Sequence, residues 1–188
     1  MDTPKVTSPV RRAQAFFFEP SMGGSASRAT LALRAAVGGV FLVSGATKFL
    51  FDNQGPGRFA KIGLPAAAQL ATFVGTVEIV CGGLLVLGLF TRLAAVPLVV
   101  DMIVAIVTTK VPLLFGAGPE PVSAPPRTGF WAFAYQSRLD ATMLLACVYL
   151  VVIGAGLWSI DAILARRRWE GALLGKVRDR GDVPHTAV

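Results

Sequence analysis

The sequence predicts an all-α integral membrane protein, a four-transmembrane-helix bundle with short interfacial helices, and three observations carry that prediction. Of the 188 residues, 54% are apolar and 15% charged, and the mean hydropathy is +0.63, outside the ordinary globular mixture. The apolar excess falls into four blocks, 30–51, 66–90, 93–115 and 139–160, each matching the roughly 20 residues that a helix needs to cross a hydrocarbon core. The net charge of +7 sits beside those blocks rather than on a separate module. Arg11, Arg12, Arg28 and Arg34 precede or open the first, Arg92 separates the second from the third, and Arg166, Arg167 and Arg168 follow the fourth. With four spans both termini and the Arg92 turn share one side, and the positive-inside rule makes that side cytoplasmic. The basic total therefore reads as topology, and no nucleic-acid partner is expected.

Taken in order, residues 1–29 form an N-terminal arm expected in the cytoplasm. Its one amphipathic piece, RRAQAFFFE from Arg11 to Glu19, suits an interfacial helix with arginines at phosphates and phenylalanines at the acyl boundary. The membrane domain spans 30–164. In its first span Arg34, Gly38, Phe41, Gly45 and Lys48 recur at spacings of four and three, one helical stripe that should face protein, since small residues favour close approach and charges avoid lipid. The link from Asp52 to Pro65 turns at Gly55, Pro56 and Gly57, and RFAKIGLP suits a short interfacial helix.

The second span carries Glu78 between Gly75 and Gly82, the only formal charge from Ala66 to Phe90. Span three follows almost at once, so the two form an antiparallel hairpin. Asp101 lies roughly 12 Å from the expected cytoplasmic start of its span and Glu78 roughly 13 Å from the opposite surface, at about 1.5 Å per residue. Both carboxylates thus approach the membrane midplane, where each needs a proton, a basic partner or a wet cleft. Pro97 and Pro112 interrupt span three and free carbonyls there. Thr108 falls on nearly the Asp101 face and Lys110 on the opposite one.

The long link from Gly116 to Ser137 begins proline-rich and ends in GFWAFAYQS, an aromatic run suited to an interfacial belt or to capping a site. Span four starts beside Arg138 and Asp140. Lys48, Lys110, Arg138 and Asp140 form the candidate outer-end ion-pair set, with Lys48 to Asp140 the expected pair. Residues 165–188 are a basic tail expected against cytoplasmic headgroups.

The candidate intramembrane polar site is Glu78, Asp101 and Arg34. No metal ligand set is recognisable, the lone His185 lies in the tail, and Cys81 and Cys147 read as small core residues. The polar residues allow a quinone headgroup site, a proton path, register-fixing packing or a small-solute path.

The chain resembles the DoxX family of small four-span bacterial membrane proteins. The matching features are Arg34 with the SGATK of Ser44 to Lys48, EIVCGGLLVLGLFTRLAA from Glu78 to Ala95, MIVAI from Met102 to Ile106, Arg138 with Asp140, and GAGLWSID from Gly154 to Asp161. Asp101 and Gln136 stand where an apolar residue and an acid are commoner. The resemblance implies a bacterial cytoplasmic-membrane protein that works as a subunit or accessory of a membrane-associated oxidoreductase system. Namesakes are associated with archaeal terminal quinol oxidase and thiosulfate:quinone oxidoreductase. A mycobacterial relative is linked to superoxide dismutase and a thiosulfate sulfurtransferase. No recognisable motif binds a cofactor, and quinone is the one the resemblance leaves open; the expected partners are membrane lipids with other redox subunits or further copies of the chain. A self-contained quinone-interacting oxidoreductase and a small-solute transporter are the alternatives.

Overall fold

A computed structural model describes residues 24–117, 127–164 and 166. The regular elements are α1 (Gly24–Leu50), α2 (Pro56–Lys61), α3 (Ala67–Leu87), α4 (Thr91–Ala105), a π-helical turn (Ile106–Lys110), α5 (Val111–Leu114) and α6 (Phe130–Ile153). Four stretches are long and apolar enough to cross a membrane: Arg28–Leu50, Ala67–Leu87, Thr91–Leu114 and Phe130–Ile153. Below, the end of the bundle where α1 begins and α6 finishes is the terminal end, and the opposite end is the α2 end. The chain is a multi-pass membrane protein. Valine, leucine and phenylalanine side chains such as Val43, Phe73, Val100 and Leu145 are exposed around it, as a lipid-facing surface requires.

The bundle is built from two close pairs, α1 with α3 and α4 with α6, joined where α3 meets α4. The α1–α3 seam follows from four glycines. A Cβ at Gly38 would stand 2.6 Å from the Gly82 carbonyl oxygen, one at Gly82 would stand 2.9 Å from the Gly38 oxygen, and one at Gly45 would stand 2.7 Å from the Gly75 oxygen. The two backbones therefore touch antiparallel at two levels, seven residues apart on each helix. Lipid tails are as apolar as leucine, so such contact between helices comes from close packing rather than from hydrophobic expulsion. The stripe of Arg34, Gly38, Phe41 and Gly45 is buried, with Lys48 partly covered at its end. Phe41, Cys81, Leu85, Leu98, Met102, Met143, Cys147 and Leu150 fill the centre, and both cysteines are free thiols.

At the terminal end a loop after α6 locks the hairpin between α3 and α4. Gly88, at φ +68°, closes α3 with Leu89 N–H donating to the Leu84 carbonyl at 3.0 Å, the Schellman arrangement for which glycine is suited. Phe90 then adopts φ +49°, a left-handed conformation that costs a side-chain-bearing residue about 1 kcal/mol. The cost is offset from far along the chain. Asp161 accepts from Phe90 N–H at 2.8 Å and from Thr91 N–H at 3.1 Å, and its own N–H donates to the Gly88 carbonyl at 3.0 Å. It caps the N-terminus of α4 as a local Asp or Ser would.

The element bounds differ from the sequence expectation in one substantial way. The fourth span is Phe130–Ile153 rather than 139–160. The aromatic run after Gly129 contains no breaker and joins the helix. Gly154 and Gly156, at φ +85° and +72°, end it early and throw GLWSI out as the locking loop. Arg138 and Asp140 consequently lie inside the span, Asp140 about 15 Å along α6 at roughly 1.5 Å per residue, instead of at its start. The first span begins earlier, and the third runs through the π turn to Leu114. The expected interfacial helix at Arg11–Glu19 and the basic tail beyond 166 lie outside the described residues.

Two outcomes follow. Gly38→Ala and Gly45→Ala should each destabilise by about 1–3 kcal/mol through overpacking, whereas Gly39→Ala and Gly83→Ala, which meet nothing within 4 Å, should not; thermal unfolding in detergent separates them. Asp161→Ala should cost about 1–2 kcal/mol and speed amide exchange at Phe90 and Thr91, with Asp161→Asn milder.

Candidate functional site

Among the described residues Glu78 is the most deeply buried acid, 1% exposed and near the middle of α3. A carboxylate there survives only with donors supplied by its neighbours. The α1–α3 seam supplies them. Because Gly45 lies against Gly75, the last turns of α1 pass beside Glu78, and Lys48 forms an ion pair with its Oε2. Ser44 Oγ donates to Glu78 Oε1 at 3.0 Å, and Lys48 Nζ reaches Ser44 Oγ at 3.2 Å. One helical turn thus presents a cation and a hydroxyl to one carboxylate.

Asp101, on α4, stands at hydrogen-bonding range of the Glu78 carboxyl and within electrostatic reach of Lys48 and Asp140. Its Oδ2 is buried without a donor. Across the bundle Lys110 Nζ is 3.8 Å from Asp140 Oδ2. The π turn accounts for Lys110. A regular helix would set it opposite Asp101, but the wide turn before Pro112 re-phases the chain, and π turns commonly mark functional positions. Pro112 brings no N–H to the ladder, while Thr108 and Thr109 spend their hydroxyls on the Val104 and Ala105 carbonyls at 2.7 and 2.6 Å.

These groups surround a cavity of about 140 Å³ opening toward the α2 end. Ser44, Lys48, Arg58, Glu78, Asp101, Asp140, Thr108 and Thr109 provide its polar wall, and Phe59, Ile62 and Leu64 from α2 and its following turn overhang it. The size is that of a cavity able to admit a single benzene ring.

Several sequence expectations are rearranged. Glu78 and Asp101 do meet. Arg34 does not join them, because the antiparallel seam places it beyond Gly38 toward the terminal end, about 16 Å along α1 from Gly45 at roughly 1.5 Å per residue. There its guanidinium donates to the Ala155 and Trp158 carbonyls. Lys48 pairs with Glu78 rather than with Asp140, since α1 packs mainly on α3 and only slightly on α6; Lys110, carried by the segment that does pack on α6, takes Asp140. Arg138 is exposed, stacked 3.7 Å over the Tyr135 ring and bonded to the Tyr135 carbonyl at 2.7 Å, outside any ion pair in the cavity. Ser44, which the sequence reading leaves out of the site, joins it, and its spacing of four from Lys48 is the signal that puts both on one turn. Among the described residues no cluster of three or more His, Cys, Asp or Glu side chains could hold a metal ion.

Comparison with known proteins gives this arrangement a family. The DoxX family model matches residues 29–111, which include most of α1, the seam and both central carboxylates. A membrane protein of Mycobacterium tuberculosis, the uncharacterized Rv3486, is 48% identical over 138 residues, 73% of this chain and 82% of the relative. A Bacillus subtilis protein, CatD, whose name assigns it provisionally to the oxidoreductases, is 28% identical over 142 residues, 76% of this chain and 91% of its own. No solved structure gives a significant match.

Breaking the central pair tests how much the fold depends on it. Lys48→Met or Glu78→Leu alone should cost about 3–5 kcal/mol, because each strands a buried charge. The double variant Lys48→Met with Glu78→Leu should recover most of that loss in detergent unfolding.

Proposed function

The chain belongs to the DoxX family, and from that premise we propose that it serves as a membrane subunit or accessory of a quinone-linked oxidoreductase complex, contributing a polar cavity for the quinone headgroup. The observation that carries the reading is the ring-sized cavity with an unpartnered, buried Asp101 Oδ2 in its wall. A buried carboxylate oxygen without a donor costs free energy that a hydroxyl of the reduced, quinol form of the headgroup would recover, while the carbonyls of the oxidised form only accept and fall to Lys48.

A quinone accepts two electrons and two protons when reduced, and this chain's contribution concerns the protons. Lys48 presents an ammonium toward the cavity and is suited to hold a headgroup carbonyl, with Ser44 fixing its position. Glu78 and Asp101, in contact, can be reconciled by one proton held between them, so the pair is a place where a proton waits beside the cavity. Asp140, paired with Lys110, and Arg58 continue the polar wall toward the α2 end. Phe59 and Ile62 of the overhang keep the headgroup out of bulk water. Electrons reach the site from a partner subunit, consistent with an accessory role. The provisional oxidoreductase naming of CatD supports the class of chemistry and nothing finer.

Purification of the native complex with its lipids retained is expected to yield stoichiometric partner subunits and extractable quinone. Ala105→Phe, which fills the cavity, should deplete the quinone. Asp101→Asn should keep the quinone but slow coupled turnover roughly 100-fold, the scale of one positioned proton-transfer group. Normal turnover in membranes lacking the chain, or an isolated chain without partners or quinone, would overturn the reading.

A further inference from the structure

We propose that a groove at the terminal end, separate from the central cavity, is a binding site for one anionic phospholipid. The groove, about 560 Å³, runs between the end of α3 and the locking loop and is lined by Arg34, Leu87, Trp158, Ile163 and Arg166 among others. Three independent features define its occupant.

The first is a buried cation with capacity to spare. Arg34 is 1% exposed, two of its nitrogens donate to the Ala155 and Trp158 carbonyls, and its Nε is buried with no acceptor. Carbonyl dipoles solvate a guanidinium but do not neutralise it, and a charge so placed favours an anion nearby.

The second is the charge balance of this end. Among the described residues Asp161 is the acidic side chain here; it accepts from the Phe90 and Thr91 amides and lies within electrostatic reach of Arg34, so a single carboxylate answers Arg28, Arg34 and Arg166. Arg166 lines the same groove, and the Arg28 guanidinium lies 5.8 Å over the Trp158 ring at its rim. The groove is thus ringed by positive charge.

The third is the character of its walls. Leu87, Trp158 and Ile163 are 55%, 58% and 55% exposed on the lipid-facing side of a spanning bundle. A water-soluble phosphate would satisfy the arginines and leave these walls bare. A phosphate head carrying acyl chains satisfies both, with basic residues at the membrane boundary supplying the headgroup attraction.

The test uses the full chain in neutral detergent, titrated with phosphatidylglycerol, phosphatidylcholine or inorganic phosphate and read by native mass spectrometry. Wild type should retain one phosphatidylglycerol in preference to phosphatidylcholine. The double variant Arg28→Ala with Arg166→Ala, which alters only side chains at the rim, should weaken phosphatidylglycerol roughly 30-fold, at about fivefold per arginine, with phosphatidylcholine unchanged. Ile163→Trp, which leaves every arginine in place and narrows the groove, should also weaken the lipid's binding. Equal retention of the two lipids, displacement by inorganic phosphate at matched concentration, or undiminished binding to the Ile163→Trp variant would each overturn the proposal.

Discussion

The contact between α1 and α3 is the constraint on which the remainder of the structure depends. Two pairs of glycines let the helix backbones meet, and a meeting at two levels leaves neither rotation nor sliding free. From that one alignment follow both polar ends of α1. Lys48 and Ser44 are delivered to Glu78, and Arg34 is delivered to the loop after α6. A larger residue in the seam would push the helices apart and strand both Glu78 and Arg34 in an apolar medium, where neither is tolerated alone.

The two ends so created differ in chemistry. Toward the α2 end, carboxylates face Lys48 and Arg58 around a small cavity, and the π turn with its two threonines gives that cavity an irregular wall within the third span. Irregular backbone at such depth is sustained where protein covers it or a polar space adjoins it. Toward the terminal end, a single carboxylate among the described residues, Asp161, both caps α4 and attracts Arg34, and Arg28 and Arg166 add positive charge beside the adjoining groove. The mixed-charge end suits proton handling beside a ring-sized ligand. The cationic end suits an anionic headgroup.

The locking loop joins the two pairs of helices. Gly154 and Gly156 release the chain from α6, Asp161 seizes the α3–α4 hairpin, and the carbonyls in between receive Arg34. The stretch GAGLWSID, read in sequence as the close of a spanning helix, is therefore the element that ties the fourth span to the first three.

What the sequence by itself determined is what composition and period control: four spans, their antiparallel order, the buried stripe of α1, the short helix near Arg58 and the place of Glu78 and Asp101 near the middle of their spans. These are properties of single helices in a solvent that forbids exposed backbone and charge. What only the tertiary structure decided is partnership. Lys48 could have met Asp140, and Arg34 could have met Glu78, because depth and sign of charge permit several pairings and do not say which helices are neighbours. Neighbourhood came from glycines opposed across two helices, the phase of Lys110 from a π turn that a regular 3.6-residue period conceals, and the end of α6 from two glycines in positive-φ conformations amid an otherwise continuous apolar run. Asp161 shows the same limit: a cap for α4 supplied from about 70 residues away exists only after the chain has folded back on itself.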